Sequence, residues 1–182
     1  MKQKLFNLLK NDALFKGTVI LSSGKTSNFY IDVRRVSLTS QGLYLISNLI
    51  WRFIKDDGIT AVGGPTLGAD PLVGGVCMVA HKHRKELKGF LIRKTPKEHG
   101  RQQLIEGREL SNDDKVVIMD DVATSGSSLI KSIEILRAEK IAVAKAIVVV
   151  DREEGARDNL AKLGCPFVSL FTKKDFLGSS AG

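Results

Sequence analysis

Five short apolar stretches, residues 59–62, 90–92, 116–119, 146–150 and 167–170, constrain the fold of this 182-residue chain more than anything else in it. None alternates apolar with polar residues, as a strand with one wet face would, so each is expected to be a strand covered on both sides. The segments between them, 69–81, 127–139 and 156–163, read as helices. Strand, helix and strand in repeated succession predict an α/β fold with a mostly parallel central sheet flanked by helices. Ahead of this pattern, Leu5, Leu8 and Leu9 recur at helical spacing, and residues 18–21 and NFYIDV (28–33) read as extended. A long helix is expected from a Thr39 or Ser40 cap, with Leu43, Ile46, Ile50 and Phe53 on one face, ending before Gly58. No internal repeat or linker interrupts the chain, so 1–182 is read as a single domain.

Composition narrows the function classes. The 43% hydrophobic content supplies a full core, and no apolar stretch is long enough to span a bilayer. The opening MKQKLFNLLKND breaks its apolar residues at Asn7 and Lys10, unlike a secretory signal, so a cytoplasmic protein without a membrane partner is expected. Cys77 and Cys165 have neither metal-ligand spacing nor the numbers for a disulfide framework, and read as small buried hydrophobes. The net charge of +8 raises the question of a nucleic-acid partner. Between Lys82 and Arg101 stand eight Lys or Arg against Glu86 and Glu98, a local net of +6, so most of the excess sits in one segment. Only Phe90 interleaves those cations, whereas a nucleic-acid surface normally mixes several aromatics with its charges. No nucleic-acid partner is expected.

In parallel sheets, ligands bind where strands end and helices begin. The residues to read are therefore 63–68, Arg93 onward, Asp120 onward, and Asp151 with Arg152. In VVIMDDVATSGSS, residues 116–128, two carboxylates precede a run of small hydroxylated residues. The backbone N–H groups of Ala123, Thr124, Ser125, Gly126, Ser127 and Ser128, with four hydroxyls among them, can converge on an anion at a helix start. The chain has no Gly-x4-Gly-Lys-Ser/Thr and no GxGxxG, so this is neither a P-loop nor a dinucleotide fingerprint. Asp120 and Asp121 would repel the phosphate itself and must face another part of the same ligand. A sugar phosphate with a free diol satisfies both halves. A pair that merely caps the turn, or that holds magnesium as in unrelated α/β proteins, is the alternative.

The stretch resembles the thirteen-residue binding motif for phosphoribosyl pyrophosphate (PRPP) of the type I phosphoribosyltransferases: four hydrophobic residues, two acids, and a small-residue loop. Three further segments are similar to orotate phosphoribosyltransferases. SSGKTSNFYIDVR, residues 22–34, matches the N-terminal segment that forms the floor and hood over orotate. RKTPKEHGRQQLIEG, residues 93–107, matches the family's mobile catalytic loop. VVVDREEGA, residues 148–156, has Arg152 at a position similar to that of the family's arginine for the orotate carboxylate, which implies the same contact here. The resemblance implies the type I phosphoribosyltransferase fold, with a small N-terminal hood over residues 1–35 and a mobile loop over 93–108. It implies transfer of the phosphoribosyl group from PRPP to orotate, in pyrimidine biosynthesis. It also implies a homodimer in which that loop reaches the neighbouring subunit's site. Where many bacterial members have a lysine and a Tyr-Lys pair, this chain has Ser22 and Thr66-Leu67, so two cationic contacts must be absent or supplied differently.

The chemistry asks for the same residue types. Departure of pyrophosphate builds negative charge where it leaves, so cations must gather there. Arg93, Lys94 and Lys97 are at hand, and His99 can share that role or pass a proton to a departing oxygen. Magnesium bridging the diphosphate and ribose oxygens would neutralise more charge with few protein ligands. KTPKEHGRQQ has Pro96, Gly100 and no apolar period, as a segment that moves would. Thr124 and Arg152 are candidate orotate contacts, with Phe29 and Tyr30 offering stacking area or backbone groups, or else strand core. A purine or uracil phosphoribosyltransferase would share the PRPP loop but read a neutral base. A PRPP-sensing nucleic-acid-binding regulator is the reading outside the enzymes.

Overall fold

The apolar runs are strands because both of their faces are covered. In the computed structural model, which describes residues 1–15, 17, 19–20, 26–27, 29–95 and 104–178, they lie in one six-stranded sheet. Its strands are β5 (Ala61–Pro65), β6 (Lys88–Ile92), β7 (Ile105–Gly107), β8 (Lys115–Ala123), β9 (Ala142–Asp151) and β10 (Phe167–Thr172), in the order β10-β9-β8-β5-β6-β7. Every neighbouring pair is parallel except β6 with β7.

Val117 and Met119 of β8 enter one core with Ile46 and Ile50 of α3 (Ser40–Ile54) and Leu72 and Val76 of α4 (Ala69–Lys82). Val116 and Ile118 enter another, with Leu129 and Ile133 of α5 (Ser127–Ala138) and Leu160 of α6 (Ala156–Lys162). A period of two with both faces buried leaves no place for a polar residue, which is why the run does not alternate. Thr39 caps α3, its hydroxyl accepting from the Gly42 N–H at 3.1 Å. The buried stripe of α3 runs through Leu45, Ile46, Leu49, Ile50 and Ile54, while Phe53, expected on that stripe, is 43% exposed at the last turn. Trp51 is buried and stacks on His83, just past α4, at 5.6 Å. Cys165 is buried, Cys77 is half-buried, and both are free thiols raised by that burial.

The N-terminal part stands apart from the main sheet. Helix α1 (Lys2–Leu8) runs into a π-helical turn, Leu9–Ala13, which puts Leu5, Leu9 and Ala13 into the first core. β1 (Leu14–Phe15) pairs with β4 (Tyr30–Ile31), and β2 (Val19–Ile20) with β3 (Thr26–Ser27), as two antiparallel ribbons. The extended stretch expected over 28–33 is shorter, because Asp32 begins a turn into the short helix α2 (Arg34–Ser37).

The chain moves outward from β5 to β6 and β7, then returns to β5's other side with β8 and continues outward through β9 and β10 (Phe167–Thr172) to α7 (Lys173–Leu177). Connections therefore diverge on either side of the β5/β8 boundary, and a crevice opens at the carboxyl ends of those two strands.

Candidate active site

β8 runs on to Ala123 because the long β9 pairs with it as far as Ala123 opposite Asp151. Asp120 and Asp121 thus lie inside the strand, not in the turn after it as expected. Both face the turn that follows β5: a β-carbon on Gly68 would fall 2.4 Å from Oδ1 of each, so only glycine lets that turn rest on the pair. The turn, which contains a cis Thr66–Leu67 peptide bond, is tied to the next strand by Thr66 N–H donating to Ile92 O at 3.1 Å.

Asp120 is only 9% exposed. Burial first, and then the neighbouring Asp121 charge, pushes its carboxyl up to about 8. Burial raises Asp121 as well. Two crowded carboxyl groups short of water hold a proton more tightly than free aspartate does, and a ligand offering hydroxyls or positive charge relieves them. Backbone N–H groups already meet one oxygen of each, Asp121 N–H to Asp120 Oδ1 at 2.9 Å and Val122 N–H to Asp121 Oδ1 at 2.8 Å. Arg34, which sequence reasoning did not single out, has its Nε 2.9 Å from Asp32 Oδ1 and 4.0 Å from Asp121 Oδ2. With Asp32 and Leu67, Arg34 and Arg35 border an adjoining hollow of about 570 Å³. Two arginines therefore stand beside Leu67.

Beyond the pair, Thr124, Ser125, Ser127 and Ser128 are exposed around a small hollow of about 70 Å³. Gly126 opens α5 with φ +77°, a conformation that suits glycine, and a β-carbon there would press at 3.3 Å on Ala156. The loop is thus both left-handed and tightly backed, at the positive end of a helix.

Arg152 follows β9 and is buried at 7% exposure, its backbone N–H donating to Ala123 O at 2.9 Å. Its Nη2 lies 2.8 Å from Glu154 Oε1. The acids beside it have separate tasks: Asp151 accepts from Glu153 N–H at 2.8 Å, and Glu153 accepts from Lys174 N–H at 3.1 Å.

Phe29 is 1% exposed and belongs to the first core, 6.1 Å from the ring of Phe176. Its side chain is thereby committed to packing, which leaves backbone groups for any contact with a planar ligand. Tyr30 is half-buried, edge-on to Phe15 at 5.2 Å.

The basic segment leaves the same rim. Arg93 N–H donates to Leu104 O at 2.9 Å and Ile92 pairs with Ile105, so the two described ends of the segment lie side by side. Its far end, 105–107, is the edge strand β7. Arg93 also reaches Glu106 at 3.6 Å. Lys94 is exposed, and its charge draws the Asp120 carboxyl downward against burial. Lys97 and His99 lie outside the described residues.

The geometry supplies an anion-binding turn, a buried acid pair and an arginine on one crevice. A family model described as "Phosphoribosyl transferase domain" matches residues 44–166. Among curated relatives, orotate phosphoribosyltransferases from Aquifex aeolicus and Methanocaldococcus jannaschii are 37% and 40% identical, with 97% and 96% of both chains covered. Among solved structures, Mycobacterium tuberculosis orotate phosphoribosyltransferase in complex with Fe(III) dicitrate superposes with a TM-score of 0.83 at 31% identity, over 96% of this chain and 98% of that one. The same enzyme in complex with PRPP gives 0.80 at 28% identity, over 96% and 98%. By these matches the chain belongs to the phosphoribosyltransferases, and within them to the orotate phosphoribosyltransferase family.

Proposed function

We propose that the chain transfers the phosphoribosyl group of PRPP to orotate, forming orotidine 5'-monophosphate and pyrophosphate in pyrimidine biosynthesis. The observation that carries this reading is the acid pair at the end of β8, lying against Gly68 and continuing directly into the turn at the start of α5. The turn holds the 5-phosphate through its N–H groups and the hydroxyls of Thr124, Ser125, Ser127 and Ser128. Asp120 and Asp121 accept hydrogen bonds from the ribose diol, which favours their charged forms.

In the reaction the bond from the anomeric carbon to the pyrophosphate oxygen breaks, a bond from that carbon to an orotate ring nitrogen forms, and the proton that nitrogen carried passes to the departing pyrophosphate or to water. Arg152 holds the orotate carboxylate, with the Thr124 hydroxyl and the backbone of Phe29 and Tyr30 orienting the ring. Arg93, Lys94 and Lys97 gather round the departing pyrophosphate, and His99 shares the charge or gives a proton to a departing oxygen. Closure of the segment over the donor excludes water, which would otherwise compete for the ribosyl carbon. That closure is shared between subunits of a homodimer.

Among the described residues no group of three or more His, Cys, Asp or Glu is placed to hold a metal ion. Magnesium would be held mainly by the donor's own oxygens and water, and the buried Asp120 and Asp121 carboxyls beside the donor fit a nearby dication. Magnesium bound there would neutralise diphosphate charge. No helix among the described residues is long and apolar enough to cross a membrane.

Purified protein supplied with magnesium and PRPP is expected to consume orotate and release pyrophosphate, with adenine, hypoxanthine and uracil inactive. Turnover of a neutral base without turnover of orotate would transfer the assignment to another phosphoribosyltransferase.

A further inference from the structure

Three consecutive carbonyls of the donor loop point at one neighbouring segment. Ala123 O accepts from Arg152 N–H at 2.9 Å, Thr124 O from Ala156 N–H at 3.2 Å, and Ser125 O from the Asn159 side-chain amide, Nδ2, at 3.0 Å. In a trans peptide the C=O and the following N–H point in opposite directions across a rigid plane. Holding these carbonyls toward α6 therefore turns the N–H groups of Thr124, Ser125 and Gly126 the other way, into the crevice. Two of the three donors are backbone N–H groups of the buried residues Arg152 and Ala156, while the third is the side chain of Asn159, one turn inside α6.

We infer that Asn159 is a positioning residue for PRPP: by fixing the Ser125 carbonyl it aims the N–H groups of the loop at the donor's 5-phosphate. The inference rests on the reading of residues 123–128 as the donor loop. Asn159 touches no substrate; it acts through the Ser125–Gly126 peptide, whose freedom to rotate is otherwise greatest where Gly126 takes its positive φ. The segment that aims the loop also carries Arg152, so the donor and acceptor sites share one rigid support.

The test is a set of binding titrations on the full chain with PRPP, ribose 5-phosphate and pyrophosphate, using Asn159→Ala and the bulk-preserving Asn159→Leu. Ribose 5-phosphate presents the phosphate and ribose without the leaving group, and pyrophosphate presents the leaving group alone. Loss of one neutral hydrogen bond predicts a Kd about fivefold higher for PRPP and ribose 5-phosphate. The Kd for pyrophosphate should stay where it is, and kcat with saturating PRPP should change less than the KM for PRPP. Should Asn159→Ala lose its fold, Asn159→Leu carries the same comparison. Unchanged affinities would overturn the inference, and so would a parallel loss for all three ligands, which is what general loosening of α6 would produce. A wild-type protein that binds neither PRPP nor ribose 5-phosphate would remove the loop reading and this inference together. Failure to use orotate with PRPP binding intact would leave the role of Asn159 standing and remove the choice of acceptor.

Discussion

The buried guanidinium of Arg152 is bonded to Glu154, Nη2 to Oε1 at 2.8 Å, so an incoming carboxylate meets an arginine already held by an acid. The pair keeps a buried cation neutralised before substrate arrives and fixes the plane that a second carboxylate would engage. Arg152→Gln should raise the KM for orotate by about thirtyfold, the value of a charge-assisted hydrogen bond, while changing PRPP affinity less than about twofold, because the backbone N–H bond to Ala123 O is kept. Steady-state kinetics with each substrate varied checks this, and equal losses for both would mean that the arginine supports the donor loop instead.

Asp120 and Asp121 predict opposite effects on stability and binding. Asp120 has its folded pKa raised from 3.8 to about 8, so its contribution to stability is present below the unfolded value and is lost as pH rises through about 8. Asp120→Asn removes that titration. Its melting temperature should exceed that of the wild type most at pH 8.5, and the difference should shrink towards pH 4. PRPP binding, which uses the charged form, should be weakened by either Asp120→Asn or Asp121→Asn. A variant less stable than wild type at pH 8.5 would mean that the carboxyl is not under strain.

How the site could be found in the sequence follows from what each part depends on. The strands were legible because burial on two faces leaves only apolar residues at 116–119 and 146–150, and the donor loop because its residue types carry their chemistry locally. The length of β8 was not legible, since whether Asp120 and Asp121 fall in strand or turn is decided by pairing with β9. The edge strand β7 is three residues, one of them Gly107, and owes its existence to β6. Phe29 reads as readily as a stacking ring as a core ring, and only the cluster around Phe176 assigns it to the core. Arg34 and Asn159 act across 87 and 34 positions of chain, on Asp121 and Ser125, and no local pattern marks such partners.

At the opposite end of β8, the buried Asp114 accepts from Lys88 Nζ and the Thr60 hydroxyl at 2.8 Å each, and from Ser111 N–H at 2.7 Å. Burial alone would raise its carboxyl, yet these donors outweigh it and hold the pKa at about 2. A depressed carboxylate stabilises the fold above its unfolded pKa of 3.8 and loses that contribution as pH falls towards 2. Asp114→Asn should therefore cost about 2 kcal/mol near pH 7 by urea unfolding, with the deficit closing between pH 4 and pH 2. A deficit independent of pH would assign the effect to packing.

Lys97 should matter to turnover more than to binding if its contact forms as pyrophosphate leaves. Lys97→Ala is expected to lower kcat by about a hundredfold, the loss typical of one donor to a developing charge, with PRPP affinity altered far less. Comparable losses in both would place the lysine in ground-state binding.

The most direct measurement is a crystal structure with PRPP bound. The ribose hydroxyls are expected within hydrogen-bonding distance of Asp120 and Asp121, and the 5-phosphate on the N–H groups of residues 124–128. A donor seated elsewhere, with the carboxyl pair still turned against Gly68 and the turn before α5 left bare, would contradict it.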